Sequence, residues 1–375
     1  MQAGHEAVPE FAGMNEGAFK EGARKTDTRR YTPELQRLLV LLQIMKSALA
    51  VTAVTVLALP ALATSSSNSD VWRRPAVPAP ADNQPNAARV ELGRTLFFDP
   101  RLSAKGVMSC ATCHNPALGW TDGRPTAVGH DMKILGRATP TIVNAAFNPL
   151  QMWDGRKVSL EAQALGPFES HDEQNLALED LESRVRGIPG YVSMFERAYP
   201  GESVTRDTIA KAIASFERTV VSDGAGFDRW EAGDNNAMSA SAQRGFELFN
   251  GKANCALCHQ GFNFTDNGFH NIGLKEAGEA DPGRFAHRPI KALKGAFKTP
   301  TLRDIALTAP YMHNGAYTTL EEVVDHYARG GDVKDNLSPN IKPLDLSDAE
   351  KHDLVEFMRS LTSAPQVVTV PKLPQ

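Results

Sequence analysis

The chain has 375 residues, which is long enough for two domains that each bury a core of their own. Apolar residues make up 42% of the chain and charged residues 22%, a composition that excludes an intrinsically disordered protein. The net charge is −4 and the basic residues form no long run, which argues against a nucleic-acid-binding protein.

The first 63 residues predict an export signal. Lys46 precedes an apolar run over residues 48–63, which ends in a small-x-small cleavage pattern. The run is shorter than the roughly 20 residues that a membrane-spanning helix needs, and Pro60 interrupts it. We therefore expect a cleaved signal peptide and a periplasmic protein. An uncleaved anchor is the alternative, and Met45 is an alternative start of the chain.

Composition divides the rest of the chain into a linker and two domains. Residues 64–88 are rich in Ser, Pro and Ala, which predicts a flexible linker. Residues 89–235 and 236–375 predict two mainly α domains with long loops, because apolar residues recur at helical spacing. A Gly-x-x-Leu-Phe pattern lies upstream of the cysteines of each domain, at Gly93 and Gly245, and indicates a duplicated unit.

All four cysteines belong to two copies of the motif Cys-x-x-Cys-His. In haem c attachment sites, two thiols one helical turn apart bond to the vinyl groups of a haem, and the histidine ligates the iron. A zinc site or disulfides are the alternative, but zinc ribbons usually separate their cysteine pairs by about 15–20 residues. Here 141 residues separate the pairs. The sequence therefore predicts two cytochrome c-like domains with two covalently bound haem c groups, at Cys110, Cys113 and His114 and at Cys255, Cys258 and His259.

Three segments around these motifs resemble the bacterial di-haem cytochrome c peroxidases and the related MauG proteins of methylamine utilisation. They are "GRTLFFDPRLSAKGVMSCATCHNPALGWTDGRPTAVGH", "TPTIVNAAFNPLQMWDGR" and "FKTPTLRDIALTAPYMHNGAYTTLEEVVDHY". The resemblance covers about residues 90–365. It implies that hydrogen peroxide reacts at the N-terminal haem and that electrons enter through the C-terminal haem.

The resemblance also implies roles for residues around the N-terminal haem. His130 matches a histidine that caps the iron in resting peroxidases, and MauG proteins are expected to lack it. Gln163 and Glu173 match polar residues beside the peroxide, where a carboxylate can pass a proton to the leaving oxygen. Trp153 matches a tryptophan that relays electrons or holes between the haems. Without the resemblance, the local sequence favours a solvated loop histidine at His130, an exposed acid at Glu173 and a core tryptophan at Trp153.

The predicted helix in "TTLEEVVDHYARGG" bears on the sixth ligand of the second haem. Its apolar residues follow i, i+3, i+4, i+7, which places Tyr327 on the buried stripe and His326 about 100° away from it. The resemblance puts Tyr327 where peroxidases carry a methionine ligand and MauG proteins a tyrosine. Met312 and His313 are alternative ligands. Tyr327 thus favours MauG-like chemistry, whereas His130 favours peroxidase chemistry.

The family also binds calcium between its haem domains. The carbonyls of Thr308 and Pro310 match two of the calcium ligands, but Ala138 stands where the family has an asparagine. The resemblance therefore implies one calcium ion, bound here without the asparagine side-chain ligand that the family has.

The leading hypothesis is a periplasmic di-haem peroxidase that reduces hydrogen peroxide to water. Its electrons would come from a small cytochrome c or a copper protein (cupredoxin). The first alternative is a MauG-like enzyme that uses peroxide to oxidise side chains of a partner protein. The second alternative is a di-haem electron carrier without enzymatic activity. The resemblance also suggests a homodimer.

Overall fold

The structure is a computed structural model that describes Glu34 and residues 69–276, 278–364 and 367–375. All features below lie in one compact unit, Ser66–Gln375. The apolar run of the predicted signal peptide lies outside the described residues, so the signal peptide stays a prediction. Of the helices in the described part of the chain, none has both the length and the apolar character that crossing a membrane requires.

Helices dominate the described residues, which confirms the prediction of a mainly α fold. The α-helices are α1 (Ser69–Trp72), α2 (Ala87–Phe97), α3 (Cys110–Cys113), α4 (Leu160–Glu169), α5 (Leu178–Arg186), α6 (Pro189–Ala198), α7 (Arg206–Glu217), α8 (Gly226–Glu231), α9 (Ala240–Asn250), α10 (Leu320–Ala328) and α11 (Asp348–Ser360). Two short strands, β1 (Phe269–His270) and β2 (Phe297–Lys298), pair antiparallel with Phe269 opposite Lys298. Long loops with short 3-10 turns connect these elements.

Polar N-cap residues lie at the start of helices α4, α10 and α11. Ser159 caps α4 by accepting a hydrogen bond from the backbone N–H of Ala162. Thr319 with Glu322 forms a capping box at the start of α10, and Ser347 caps α11. These caps satisfy N–H groups that a helix leaves unpaired in its first turn, so they set where each helix starts.

One pair of helices in each half of the described chain crosses at a glycine of the predicted repeat. In the first half α2 packs on α7, and in the second α9 packs on α11. A Cβ atom on Gly93 would lie 1.8 Å from the carbonyl oxygen of Ala212, and one on Gly245 would lie 2.0 Å from that of Asp353. Any larger residue would hold the helices apart. The repeat therefore marks two equivalent helix crossings.

The buried apolar side chains form two cores. One core is drawn from residues 92–220 and the other from residues 227–361. A buried hydrogen bond of 2.9 Å from the amide of Asn144 to the side-chain oxygen of Asn263 connects the two halves. The precise domain boundary predicted at residue 235 stays a prediction.

The two halves share a second repeat that the sequence analysis missed. The turns in "QMWDGR" and "YMHNGA" have the same backbone, because Met152 and Met312 have φ values of 73° and 75°. This left-handed conformation is rare for a residue with a long side chain. The two methionines are 160 positions apart, as are the helix caps Ser159 and Thr319. Each half therefore delivers a helix to the same place beside its own haem motif.

The segment before α2 differs from the flexible linker predicted at residues 64–88. Trp72 stacks on Phe264 of the second core with ring centroids 5.0 Å apart. Asn83 is fully buried and donates a hydrogen bond of 3.0 Å to Glu161. The prediction of flexibility is therefore wrong for residues 71–86. The prolines of this segment exclude a regular helix, and they also reduce the conformational entropy that the chain loses on packing. The contacts of Trp72 and Asn83 are therefore enough to hold the segment in place.

Candidate active site

One cavity of about 870 Å³ lies between the two halves and reaches both Cys-x-x-Cys-His motifs. Its volume falls in the range of roughly 300–1,000 Å³ that is typical of ligand and cofactor pockets. The cavity is lined by nearly all predicted site residues: Cys110, Cys113, His114, Trp153, Gln163, Glu173, Cys255, Cys258, His259, Thr308, Pro310 and Tyr327, with the alternative ligands Met312 and His313. The one exception is His130.

The four cysteine side chains line this cavity, and none of them is paired in a disulfide. Burial raises the pKa of the first cysteine of each motif to about 12 and that of the second to about 11. A structural zinc site holds its metal with four Cys or His ligands placed around one point. Among the described residues, the one group that could hold a metal ion is Cys258 with Asp266 and His270, which contains a single cysteine. The structure thus supports haem attachment over zinc.

A backbone carbonyl orients each motif histidine. Nδ1 of His114 lies 3.2 Å from the carbonyl oxygen of Trp120, and Nδ1 of His259 lies 2.8 Å from that of Phe264. Trp120 and Phe264 have φ values of 62° and 48°, a conformation that bulky residues rarely adopt. Because a carbonyl can only accept, Nδ1 carries the proton and Nε2 keeps its lone pair. Burial also lowers the pKa of both histidines, which favours the neutral imidazole that can ligate iron.

Two polar side chains of the first half, Gln163 on α4 and Glu173 in the following loop, line the cavity. Burial raises the pKa of Glu173, while the charge of Arg156 opposes the shift. Glu173 and Cys113 line the same cavity, and the Glu173 charge raises the pKa of the Cys113 thiol. Glu173 is therefore a shielded carboxyl of the cavity and not the exposed acid that the local sequence favours.

Helices α4 and α10 present different groups at equivalent positions. Pro167 lies eight residues after the cap of α4, Tyr327 lies eight residues after the cap of α10, and both line the cavity. A proline side chain has no atom that can ligate a metal, whereas a phenol oxygen can. The second half thus offers a ligand at the position where the first half offers none. The sequence analysis missed Pro167, although the 160-residue repeat would have revealed it.

Comparison with known proteins shows the family of the chain. The family profile for di-haem cytochrome c peroxidase matches residues 87–236, and the profile for cytochrome c matches residues 242–362. The methylamine utilisation protein MauG of Methylorubrum extorquens is 47% identical over 305 residues, which cover 81% of this chain and 86% of that protein. This chain belongs to the di-haem cytochrome c peroxidase and MauG family.

Both branches of the di-haem peroxidase and MauG family are among its relatives. The cytochrome c551 peroxidase of Nitrosomonas europaea is 36% identical over 80% of this chain and 87% of its own. A crystal structure of a MauG-like protein associated with microbial copper homeostasis matches with a TM-score of 0.73 at 32% identity, covering 78% of this chain and 95% of that one. The resemblance and the prediction of an oxidoreductase of the cytochrome c peroxidase type, with a MauG-like variant, are confirmed. The alternative of a non-enzymatic electron carrier loses support.

Membership in the di-haem peroxidase and MauG family implies haem c as the cofactor. The residues of this chain fit that group, because a largely apolar cavity reaches both motifs, no disulfide occupies their cysteines and the histidine Nε2 atoms are free to ligate. Calcium has no comparable support. Ala138 lines the same cavity as Thr308 and Pro310 but supplies no side-chain oxygen.

The helix that carries Tyr327 is buried on two faces. Tyr327 lines the cavity, and burial raises the pKa of its phenol well above the usual range. His326 is fully buried as well, although the apolar stripe places it away from the core. Its Nδ1 lies 2.9 Å from the hydroxyl oxygen of Tyr317, and its Nε2 lies 2.9 Å from the carbonyl oxygen of Ile272. The expectation that the tyrosine alone faces inward is wrong, because the loop that carries Ile272 covers a second face of α10.

The structure does not bring His130 into the cavity. Its neighbours Gly129 and Lys133 line the cavity, whereas the imidazole Nε2 lies 3.6 Å from a carboxylate oxygen of Asp131. The backbone turns sharply there, with φ values of 53° at Asp131 and 60° at Met132. The capping role predicted for His130 gains no support from this arrangement.

Trp153 lies where the two halves meet. Its indole N–H donates a hydrogen bond of 2.9 Å to the carbonyl of Ala138, and its ring centroid lies 6.4 Å from that of His313 in the second half. The Nε2 atom of His313 faces Glu276 at 3.3 Å, and its ring stacks on Phe297. This engagement makes His313 a poorer haem ligand than Tyr327, and it leaves Trp153 as an aromatic contact between the halves.

Two buried charged residues of the cavity escaped the sequence analysis. Burial raises the pKa of Glu217 to about 8, and its Oε2 has no hydrogen-bond partner among the described residues. Burial lowers the pKa of Lys298 to about 8, and its ammonium donates only a hydrogen bond of 3.3 Å to the Thr299 carbonyl. Glu217 lies four residues after Ile213, so a carboxyl on an apolar helix stripe was the available signal.

Proposed function

We propose that the protein is a periplasmic di-haem enzyme that consumes hydrogen peroxide at the haem attached to Cys110 and Cys113. A second haem, attached to Cys255 and Cys258, exchanges electrons with a partner. The observation that carries the proposal is the inequality of the halves, since Tyr327 supplies a ligand where Pro167 supplies none. An enzyme that binds peroxide needs one iron with an open position, and the first half can leave it open.

When bound, the haem iron supplies the redox chemistry that cleaves the peroxide bond. The reaction takes up two electrons and two protons for each hydrogen peroxide and releases two water molecules. His114 holds its Nε2 toward the cofactor through the hydrogen bond of Nδ1 to Trp120. Glu173 can accept a proton from the near oxygen of peroxide and return it to the departing oxygen, because its raised pKa makes it a better base near neutral pH. Gln163 supplies an amide to orient the peroxide.

The source of the electrons separates two candidate functions. In the first, a small cytochrome c or copper protein reduces the second haem, and Trp153 relays electrons to the first. In the second, the enzyme is MauG-like and oxidises side chains of a partner protein. Tyr327 in the cavity favours the second candidate, whereas the presence of His130 in the sequence favours the first. The 47% identity to a MauG protein supports the second candidate as well.

Substitution of Glu173 tests the peroxide chemistry. We expect Glu173→Gln to lower the rate of peroxide consumption with a reduced donor by about 10²–10⁴-fold, the usual contribution of a positioned acid–base group. Glu169→Gln is the matched control, because Glu169 is an exposed carboxyl at the end of α4. Haem content measured by absorption verifies that both variants are intact. Unchanged turnover in Glu173→Gln would remove the carboxyl from the mechanism.

Substitution of Tyr327 tests the second candidate. Replacing a phenol ligand with methionine raises a haem's reduction potential, since a phenolate favours the ferric state. Tyr327→Met should therefore raise the potential of one haem and change its electron paramagnetic resonance signal, while the other haem stays as it was. If potential and signal are both unchanged, Tyr327 is not a ligand and the MauG-like candidate loses its main support.

Three predictions on the surroundings of the site remain part of the proposal. The carbonyls of Thr308 and Pro310 hold one calcium ion weakly, so metal analysis before and after dialysis against a chelator should show its loss. Sedimentation should show a homodimer. Cell fractionation should place the haem-stained protein in the periplasm.

A further inference from the structure

We infer that residues 284–294, here called the basic loop, form the docking surface for a small acidic redox protein. The inference rests on the proposed function, since it locates the partner that exchanges electrons with the enzyme. It also specifies the charge of that partner, which neither the family nor the site residues determine.

The basic loop is a local excess of positive charge in an acidic chain. The loop contains four Lys or Arg residues and no Asp or Glu, although the whole chain carries a net charge of −4. Arg288, Lys291 and Lys294 are exposed, and none of them forms an ion pair with any residue that the structure describes. Ile290, between them, is 53% exposed. The loop thus presents an apolar side chain surrounded by free cations.

The base of the basic loop is fastened to the turn that carries Trp153. The guanidinium of Arg284 donates hydrogen bonds of 2.8 and 2.6 Å to the carbonyls of Asp154 and Gly155. The same guanidinium lies 4.7 Å from the ring centroid of Phe269. These contacts hold the loop against the aromatic contact between the two halves.

A second contact connects the loop to the cavity. Nε2 of His287 lies 3.3 Å from a carboxylate oxygen of Asp154, the neighbour of Trp153, and His287 lines the cavity. The next residue, Arg288, is the first of the exposed cations. A partner bound on the loop would therefore lie beside the wall of the cavity that reaches both haem motifs.

The composition of the basic loop favours a protein partner. An exposed apolar residue with a charged rim is typical of transient protein interfaces, in which charge complementarity steers encounter. A nucleic acid or an anionic membrane would call for a longer stripe of cations than this loop offers. The remaining class is a small protein with an acidic face beside its redox centre. Each docked donor loses one electron, so two docking events serve one hydrogen peroxide.

The test reverses two charges of the loop in the holoenzyme. Lys291→Glu/Lys294→Glu is compared with Arg197→Glu/Lys372→Glu, which makes the same change in net charge at exposed cations elsewhere. The probes are hydrogen peroxide with reduced plastocyanin, a copper protein with an acidic face, and with hydroquinone, a neutral small donor. We expect the loop variant to raise the KM for plastocyanin about tenfold at low ionic strength, as steering charges do. Turnover with hydroquinone should stay unchanged in the same variant.

The controls decide between a docking site and a general charge effect. The Arg197/Lys372 variant should keep its KM for plastocyanin within twofold of wild type, and Lys291→Gln/Lys294→Gln should give an intermediate value. The inference is overturned if the loop variant has the wild-type KM for plastocyanin, or if both charge-reversal variants raise that KM equally. It is also overturned if loop-dependent binding is found with phosphatidylserine vesicles and not with plastocyanin.

Failure of the proposed function would be distinguishable from failure of docking. If wild type consumes no peroxide with either donor, the proposed function is wrong. Binding of oxidised plastocyanin, measured by isothermal titration calorimetry, then still decides the docking question, because the loop variant should bind about tenfold more weakly than wild type. Equal binding by both would overturn the inference.

Discussion

The helix crossings at Gly93 and Gly245 yield a prediction with a magnitude set by the structure. Alanine at either position would place its Cβ 1.8 or 2.0 Å from a backbone carbonyl oxygen of the partner helix. An ordinary contact of that kind is at least 3.4 Å, so the helices would have to separate by more than 1 Å. That movement would loosen the core that positions the adjacent haem motif.

We expect each alanine variant to lower the free energy of unfolding by about 3 kcal/mol, the upper end of the range for overpacking. The clash is with backbone, which cannot rotate away, and it outweighs the ~1 kcal/mol that alanine gains over glycine in helix propensity. Gly136→Ala is the matched control, because a Cβ there would meet no atom within 4 Å. It should change the free energy of unfolding by less than about 0.5 kcal/mol.

Guanidinium unfolding of the holoprotein, followed by far-ultraviolet circular dichroism, measures these changes. Absorption of the haem groups reports whether the motifs stay in place. If Gly93→Ala and Gly245→Ala unfold like the control, the paired helices do not touch as described, and the account of the repeat is refuted.

Two further predictions concern buried polar groups. Because the pKa of Glu217 is raised from 4.5 to about 8 in the folded protein, stability should fall as pH rises from about 4.5 to about 8. Unfolding at a series of pH values should show this slope, and Glu217→Gln should remove it; a slope shared by both proteins would contradict the assignment. Tyr317→Phe removes the hydroxyl that lies 2.9 Å from Nδ1 of the buried His326 and leaves that nitrogen the Asp332 carboxylate at 3.4 Å, so it should lower the free energy of unfolding by about 1 kcal/mol. Tyr311→Phe is the control, because no described residue pairs with the Tyr311 hydroxyl, and equal losses in the two variants would contradict the role of this hydrogen bond.

The sequence by itself determined the features that are local in the chain. The spacing of two cysteines and a histidine within five residues identifies haem attachment, whatever the rest of the fold does. Helical periodicity placed Tyr327 on the inner stripe of its helix, because the i, i+3, i+4, i+7 pattern reports which side of an element is apolar. The Gly-x-x-Leu-Phe repeat likewise indicated the duplication, since both copies meet the same local demand at a helix crossing.

Only the tertiary structure decided which segments cover one another. Composition made residues 64–88 a linker, but Trp72 packs on Phe264, which lies 192 positions later in the chain. Glu173 reads as an exposed acid until the first half folds around it, and His326 reads as an outer residue until the loop at Ile272 covers it. A residue's own neighbours in sequence fix its face of a helix or loop. Its burial, and with it its pKa, depends on chain segments that no local pattern encodes.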